Sequence, residues 1–444
     1  MAACGLDFGT SNTTLGIGAG DRPVLVPLEG THRTLPSAIF FAPGREAQIG
    51  RAAIEAYVEG TPGRLMRALK SVLGSALIEE TTPVGRERIR FRDVIARYLT
   101  LVKARGEAEA GVDLDTVVHG RPVHFVDNDP AGDRKAEDTL RQIAESIGFR
   151  HVRFQYEPIA AALEYERMVT SEEIALIADI GGGTSDFSIV RLSPERHRRD
   201  ERADDILAND GIRIGGTDFD RNLSLGAVMP LLGLGSPMKR ADLSVPNAYF
   251  HDLATWSSIN RLYNSKTLRE IDEVVRDAAR PELVTRLRTV VEAERGHSLA
   301  MAVEGAKIAA SDAGTGTVDL EWVESGLAAA VDRGRLAGHT EDLARRMAQR
   351  IDRCLAQAGL SADRIDALFL TGDRPVCRMF ARRSPPACRR REWSMATPSA
   401  RSGSASPWKR RVWRLDARRH ALHAVTDSES MIPSAATLCA VISG

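Results

Sequence analysis

At 444 residues the chain can hold two or three domains with sizeable cores, and 60 Lys plus Arg against 60 Asp plus Glu leave it formally neutral. A hydrophobic fraction of 43% with only 5% aromatics suits an Ala, Leu and Val-rich globular protein. Its five cysteines are odd in number and scattered, with no CxxC pair and no histidines at metal spacing, which speaks against a disulfide framework or a zinc site. The chain does not open on a basic stretch followed by an apolar run, and it has no uninterrupted apolar segment of about 18 residues. We therefore expect neither secretion by signal peptide nor a membrane span, and a cytoplasmic location.

From the N-terminus, ACGLDFGTSNTTLGIGAG predicts a short apolar strand, a Gly-Thr-Ser-Asn turn and a second, alternating strand. Residues 90–108 (RFRDVIARYLTLVKARGEA) place apolar side chains at i, i+3, i+4 and i+7, as do DRKAEDTLRQIAESIG and EPIAAALEYERMV, and each predicts an amphipathic helix. Strands DTVVHGRPVHFV and HVRFQ alternate with them, giving α/β layers with helices on the faces of mixed sheets. EEIALIADIGGGTSDFSIVRL then repeats the opening recipe of strand, acid, glycine turn and strand, with Asp179 in the place of Asp7, so a duplicated fold is expected. Residues 224–349 read as mostly helical around a Gly, Pro and Ser-rich loop at 233–247. The strand RIDALFLTG follows.

A glycine turn between strands presents successive backbone N–H groups that can bind anionic oxygens. Gly9, Thr10, Ser11 and Asn12 make one such nest, and Gly181, Gly182, Gly183 and Thr184 a second. Either run alone is equally what a tight hairpin needs. Two of them, each preceded by an Asp, would clasp a polyphosphate if they faced one another, with Asp7 and Asp179 as oxygen ligands for Mg²⁺, partly through water.

GLDFGTSNTTLGI, EPIAAALEYE, ADIGGGTSDFSIV and IGGTDFDRNL, in that order and spacing, resemble the ATPase domain of the seventy-kilodalton heat-shock chaperones, which are DnaK-like and share the actin and sugar-kinase fold. The resemblance covers roughly residues 4–372. VVRDAARPELVTRLRTVVEAERGHSL followed by VEGAKIAASD is closer to the shorter YegD-type branch. It implies a duplicated actin-like ATPase fold with two lobes around a nucleotide cleft: residues 1–170, then 171–372 with a helical subdomain at about 224–349.

The resemblance also implies roles. Thr10, Ser11 and Asn12 would hold the β and γ phosphates, Asp7 and Asp179 the waters of Mg²⁺, and Thr184 would sit beside the γ-phosphate. Glu157 would lie near the attacking water; read alone, it is a first-turn carboxylate stabilised by the helix dipole. Lys70 matches the family's catalytic lysine, although unaided it reads as a solvated helix lysine. Asp186 would be a second carboxylate near the metal, or a polar turn residue. Gly215, Gly216 and Asp218 resemble a third phosphate-side loop, or an ordinary glycine turn with an exposed Asp. Glu304, Lys307 and Ser311, spaced three and four apart, share one helix face. In the family that face meets adenosine; in isolation it is a charged surface. The implied ligands are ATP or ADP with Mg²⁺, and K⁺ as a further cation. The implied activity is slow attack of water on the γ-phosphate, with client proteins or co-chaperones as partners. A small-molecule kinase of the same fold and a nucleotide-regulated, non-catalytic binding module remain alternatives.

After Gly372 the composition changes. Residues 373–419 hold 14 Lys and Arg against 3 Asp and Glu, whereas residues 1–372 hold 46 against 55. We expect no counterpart among the residues after Gly372 to the family's GGSxxxP turn, its GDAxGxxxGxA segment, its apolar linker or its β-rich peptide-binding domain. Read two bases downstream with GC-rich codons, Glu392 to Arg411 permits VVDGDAFGSVGLGLALEAA, and DRPVCRMFARR permits PAGLPDVRAA. We therefore expect residues 373–444 to be frameshift-derived and poorly ordered. The rival readings are a nucleic-acid- or membrane-binding arm, or a disordered extension.

Overall fold

Alternation along Ala2–Phe8 (β1) sends Cys4, Leu6 and Phe8 into a core, and the strand pairs antiparallel with Asn12–Ala19 (β2). This is a computed structural model that describes residues 2–19, 22–85, 87–126, 129–240 and 242–372, with two short strands at Glu392–Met395 and Val412–Asp416. The rest of the basic tail, and with it the frameshift expectation, lies outside the described residues. Arg22–Leu25 (β3) and Leu35–Pro36 (β4) also pair with β2. Ala38–Phe41 (β5), Gln48–Ile49 (β6) and Arg64–Arg67 (β7) form a small sheet around Arg51–Val58 (α1), and Thr81–Val84 (β8) with Glu87–Arg90 (β9) a ribbon.

Phe91–Ala110 (α2) buries Val94, Ile95, Tyr98, Leu99 and Val102 along one stripe and ends where Gly111 takes φ 68°. It returns the chain to Leu114–Arg121 (β10), parallel to β1. Asp129 then caps Pro130–Ser146 (α3) by accepting from the Ala131 and Gly132 N–H groups, and His151–Tyr156 (β11) adds parallel to β10. Glu157–Glu166 (α4) starts directly after β11 and packs on β10, β11, and on the strands that follow.

Glu173–Ile180 (β12) and Ser185–Leu192 (β13) make the second acid-ended hairpin, extended by Ile206–Ile212 (β14). A separate unit, Arg213–Gln349, comes next. It contains Gly216–Leu223 (α5), Ala248–Leu253 (α6), Ser265–Asp277 (α7), Pro281–Glu292 (α8) and Gly296–Ala313 (α9). A hairpin of Thr315–Asp319 (β15) and Ala328–Asp332 (β16) follows, then Arg333–His339 (α10). Leu223, Phe250, Leu287, Val303 and Val331 belong to its core. The sequence reads this region as mostly helical, and that hairpin departs from the expectation.

Glu341–Gln357 (α11) leads to Ala367–Gly372 (β17), parallel to β12. The first unit, up to Ile212 plus Arg350–Gly372, thus holds both hairpins and two sheets built to one plan. The order β10-β1-β2-β3 is matched by β17-β12-β13-β14: in each a hairpin has a parallel strand beside its first member and an antiparallel strand beside its second. Val412–Asp416 and Glu392–Met395 continue the second sheet past β17. No described helix is long and apolar enough to cross a membrane.

Candidate functional site

The two hairpin turns close in the same way. Gly9 N–H donates to the Asn12 carbonyl at 3.0 Å, and Gly181 N–H to the Thr184 carbonyl at 2.8 Å. A Cβ on Gly9 would stand 2.4 Å from that Asn12 oxygen, so only glycine permits the closure. Ser37, which sequence reasoning missed, braces the first turn. Its N–H donates to the Ser11 carbonyl at 2.8 Å, its hydroxyl donates to the Gly9 carbonyl at 2.7 Å, and its Oγ lies 2.9 Å from Thr13 Oγ1.

The tips of the turns meet. A Cβ built on Gly182 would fall 2.1 Å from Ser11 Oγ, so the second turn abuts the first at a residue without a side chain. Thr10, Ser11 and the three glycines are half-buried, while Asn12 and Thr184 are exposed. Two sets of N–H and hydroxyl groups are thereby drawn to one place.

Beneath the turns lie the acids. Asp179 stands directly opposite Asp186 across its hairpin, so the two carboxylates share a face. Like charges so placed oppose folding unless something offsets them. Asp186 leans on β14, where a Cβ on Gly211 would come within 2.7 Å of its Oδ1. Thr371, on the neighbouring β17, donates its hydroxyl to Asp179 Oδ1 at 2.7 Å. Burial, and after it the Glu157 carboxylate, push Asp179 above the usual Asp range, against the pull of Thr371 and Lys70.

Lys70 is no solvated helix lysine. It sits in a short 3-10 helix, Leu69–Val72, entered through Ala68 with φ 55°, a left-handed conformation uncommon outside glycine. Its Nζ donates to Glu157 Oε1 at 2.6 Å, with side-chain exposures of only 10% and 18%. Burial alone would lower this ammonium. Glu157, Asp7 and Asp179 together outweigh burial and hold it above its ordinary value. Glu157 is the first residue of α4, so its dipole-stabilised placement and its pairing with Lys70 coexist.

Lys70 lies among the carboxylates of Glu157, Asp7 and Asp179, a setting in which a cation could accompany a bound polyanion. Among the described residues no three His, Cys, Asp or Glu side chains are grouped closely enough to hold a metal directly. Contact through water is what the donor set fits, and Mg²⁺ usually keeps several of its waters.

The remaining predicted residues lie in the second unit. Gly215 precedes α5 and Gly216 begins it. The Asp218 carboxylate accepts from the Gly215 N–H at 2.9 Å, closing its own turn. Glu304 is exposed on α9, but Lys307 and Ser311 turn inward. Lys307 reaches Asp220 Oδ1 at 2.9 Å and the Gly216 carbonyl at 3.3 Å, which pins α9 to α5. For Lys307 and Ser311 the charged-surface alternative therefore fails.

His119 on β10 went unnoticed in the sequence. It is fully buried between the Phe8 and Phe154 rings, at centroid distances of 6.5 and 5.8 Å, and its Nδ1 lies 3.1 Å from the Gly120 carbonyl. Burial lowers its pKa to about 4, with Lys70 adding to the effect and the Gly120 carbonyl opposing it. The unfolded imidazole, near 6.5, takes its proton first as pH falls. Stability is therefore full above about pH 6.5 and declines toward pH 4, by roughly 3 kcal/mol in all from this group. Urea midpoints measured from pH 7 to pH 4 should fall more steeply for the native chain than for His119→Leu.

The family model described as Hsp70 protein matches residues 3–88 and 74–225, together just over half of the 444 residues. The matched part spans both acid-ended hairpins, Lys70 and the whole of α4. Two sheets of one plan, joined tip to tip at their glycine turns, accord with that match, and the chain belongs to the Hsp70 family, with its actin-like ATPase fold.

Proposed function

We propose that the chain is a slow, Mg²⁺-dependent ATPase of the DnaK-like chaperone type, closer to the YegD-type branch than to DnaK itself and acting in the cytoplasm. The meeting of the two turns at Gly182 and Ser11, together with a Lys70–Glu157 pair whose ammonium feels Asp7 and Asp179 at the ends of the two hairpins' first strands, carries this reading. Backbone N–H groups of Gly9 to Asn12 and Gly181 to Thr184, with the Thr10, Ser11 and Thr184 hydroxyls, would hold the β and γ phosphates. Bound Mg²⁺ would neutralise phosphate charge, held through water by Asp7, Asp179 and Asp186, with K⁺ as a further cation.

Positioning and electrostatics do most of the work in such a transfer. Lys70 would balance the charge that develops on the γ-phosphate. Glu157 and Asp179 orient the attacking water and accept its proton, a role suited to an Asp raised above its normal range. Gly215, Gly216, Asp218, Glu304, Lys307 and Ser311 are proposed for the remainder of the nucleotide, Lys307 chiefly by fixing α9 on α5. Clients or co-chaperones are the proposed partners.

We also propose that the residues after Gly372 come from a shifted reading frame, which sequencing across the codons for Thr371 to Arg378 decides. Calorimetric titration with Mg·ATP tests the functional reading. Saturable, magnesium-dependent binding with slow phosphate release is expected, and more tightly in a frame-corrected chain. No heat and no phosphate release from either chain would refute it.

A further inference from the structure

Helix α4 carries a site carboxylate at its start and, at its end, a second acid that the proposed chemistry does not use. Glu166 is fully buried at the helix C-terminus, where the dipole disfavours negative charge. Arg202, 1% exposed, answers it with a fork: Nη1 donates to Oε2 at 3.0 Å and Nη2 to Oε1 at 2.8 Å. The Ser193 N–H donates to the same Oε1 at 3.0 Å. The guanidinium Nε–H donates to Asp205, also buried, whose other oxygen accepts from Arg196, and His197 Nδ1 lies 3.5 Å from Glu166 Oε2. All these partners come from the segment between β13 and β14.

A buried network of this kind adds little net stability over apolar packing of the same shape. What it supplies is geometry, because a planar fork accepts carboxylates in few arrangements. Between its ends α4 is packed tightly: Ile159, Ala160 and Ala162 are fully buried, and the helix touches β10 and β11 of the first sheet and β12, β13 and β17 of the second. Ten residues of helix rise about 15 Å. So short a packed helix shifts as one piece.

We propose that Arg202 is a positioning residue: by clamping Glu166 it fixes α4 along its axis, and so fixes Glu157 against Lys70. The catalytic consequence rests on the ATPase reading, but the effect on the Lys70–Glu157 pair does not. Arg202→Lys keeps the charge and loses the fork. Should that variant not fold, Arg202→Met with Glu166→Met removes both charges together.

The test reads Lys70 directly, as the rate of amine acylation by a neutral reagent against pH, located by mass spectrometry, with exposed Lys135 as internal control. Steady-state kcat and KM for Mg·ATP are measured alongside. Loss of the clamp should raise Lys70 acylation near neutral pH about five-fold, because an ammonium that loses its carboxylate deprotonates more readily. It should lower kcat about ten-fold with KM within about two-fold, since misplacing a catalytic group weakens the transition state more than binding. Parental acylation and kcat in a folded but less stable variant would make Arg202 a structural staple only and overturn the inference. If the native chain has no turnover, the ATPase reading fails, and the acylation result still decides the role of Arg202.

Discussion

Lys70→Ala is expected to slow ATP hydrolysis by about 10²- to 10³-fold while weakening Mg·ATP binding by less than about ten-fold. The asymmetry follows from where the ammonium sits. It is held by Glu157 at 2.6 Å, with Asp7 and Asp179 contributing to its raised pKa, so it is charged at any physiological pH and oriented before a ligand arrives. Such a group acts most on charge that develops during reaction, whereas in the proposed complex the ground-state phosphates would be gripped by the two backbone nests. Removing it also leaves Asp7, Glu157 and Asp179 without their shared counter-charge. Asp179, already raised by burial and by Glu157, loses one of the two groups that pull it down. The acid limb of the kcat profile should therefore move to higher pH in the variant. Single-turnover hydrolysis across pH 5 to 9 measures both effects, and a parental rate constant would remove Lys70 from the mechanism.

Gly182→Val is expected to weaken Mg·ATP binding at least about 30-fold, the equivalent of roughly 2 kcal/mol. A Cβ at this position falls 2.1 Å from Ser11 Oγ, which can rotate aside, and 3.1 Å from Ser11 Cβ, which cannot, so the branched methyls of valine would press on Ser11 and push the two turns apart. Parting them would cost a polyphosphate held by both turns its simultaneous contacts while each hairpin remains intact, because the Gly181 to Thr184 closure does not involve position 182. The physical cause predicts a partial remedy. Combining Gly182→Val with Ser11→Gly should recover a good part of the affinity, and a double-mutant cycle should show coupling above 1 kcal/mol. Titration calorimetry on the four proteins reads the cycle. Strictly additive losses would mean that the turns do not meet.

Much of this was legible in the sequence because the signals are local. Asp7 with Gly9, and Asp179 with Gly181, declare their hairpins within a dozen residues each, and the 3.6-residue pattern marks α2, α3 and α4. The duplicated plan follows from the two hairpins, and the strand at RIDALFLTG fell into its expected place as β17. What escaped detection depends on residues far apart in the chain. Lys70 meets Glu157 across 87 positions, Ser37 braces Gly9 across 28, and Thr371 reaches Asp179 across 192. A lone Ser or Thr in an apolar run gives no sign of such a partner. The β15–β16 hairpin was hidden by alanines at 328, 329 and 330, poor strand formers on their own. Spacing puts Glu304, Lys307 and Ser311 on neighbouring positions of α9. It could not show that Asp220 and Gly216 draw Lys307 inward while Glu304 stays in solvent.

The most direct check is a crystal structure of this chain grown with magnesium and a non-hydrolysable ATP analogue. The β and γ phosphates should lie within hydrogen-bond distance of N–H groups from both Gly9–Asn12 and Gly181–Thr184, with Lys70 Nζ turned toward the terminal phosphate. An analogue seated on one turn alone, or bound elsewhere, would contradict the account.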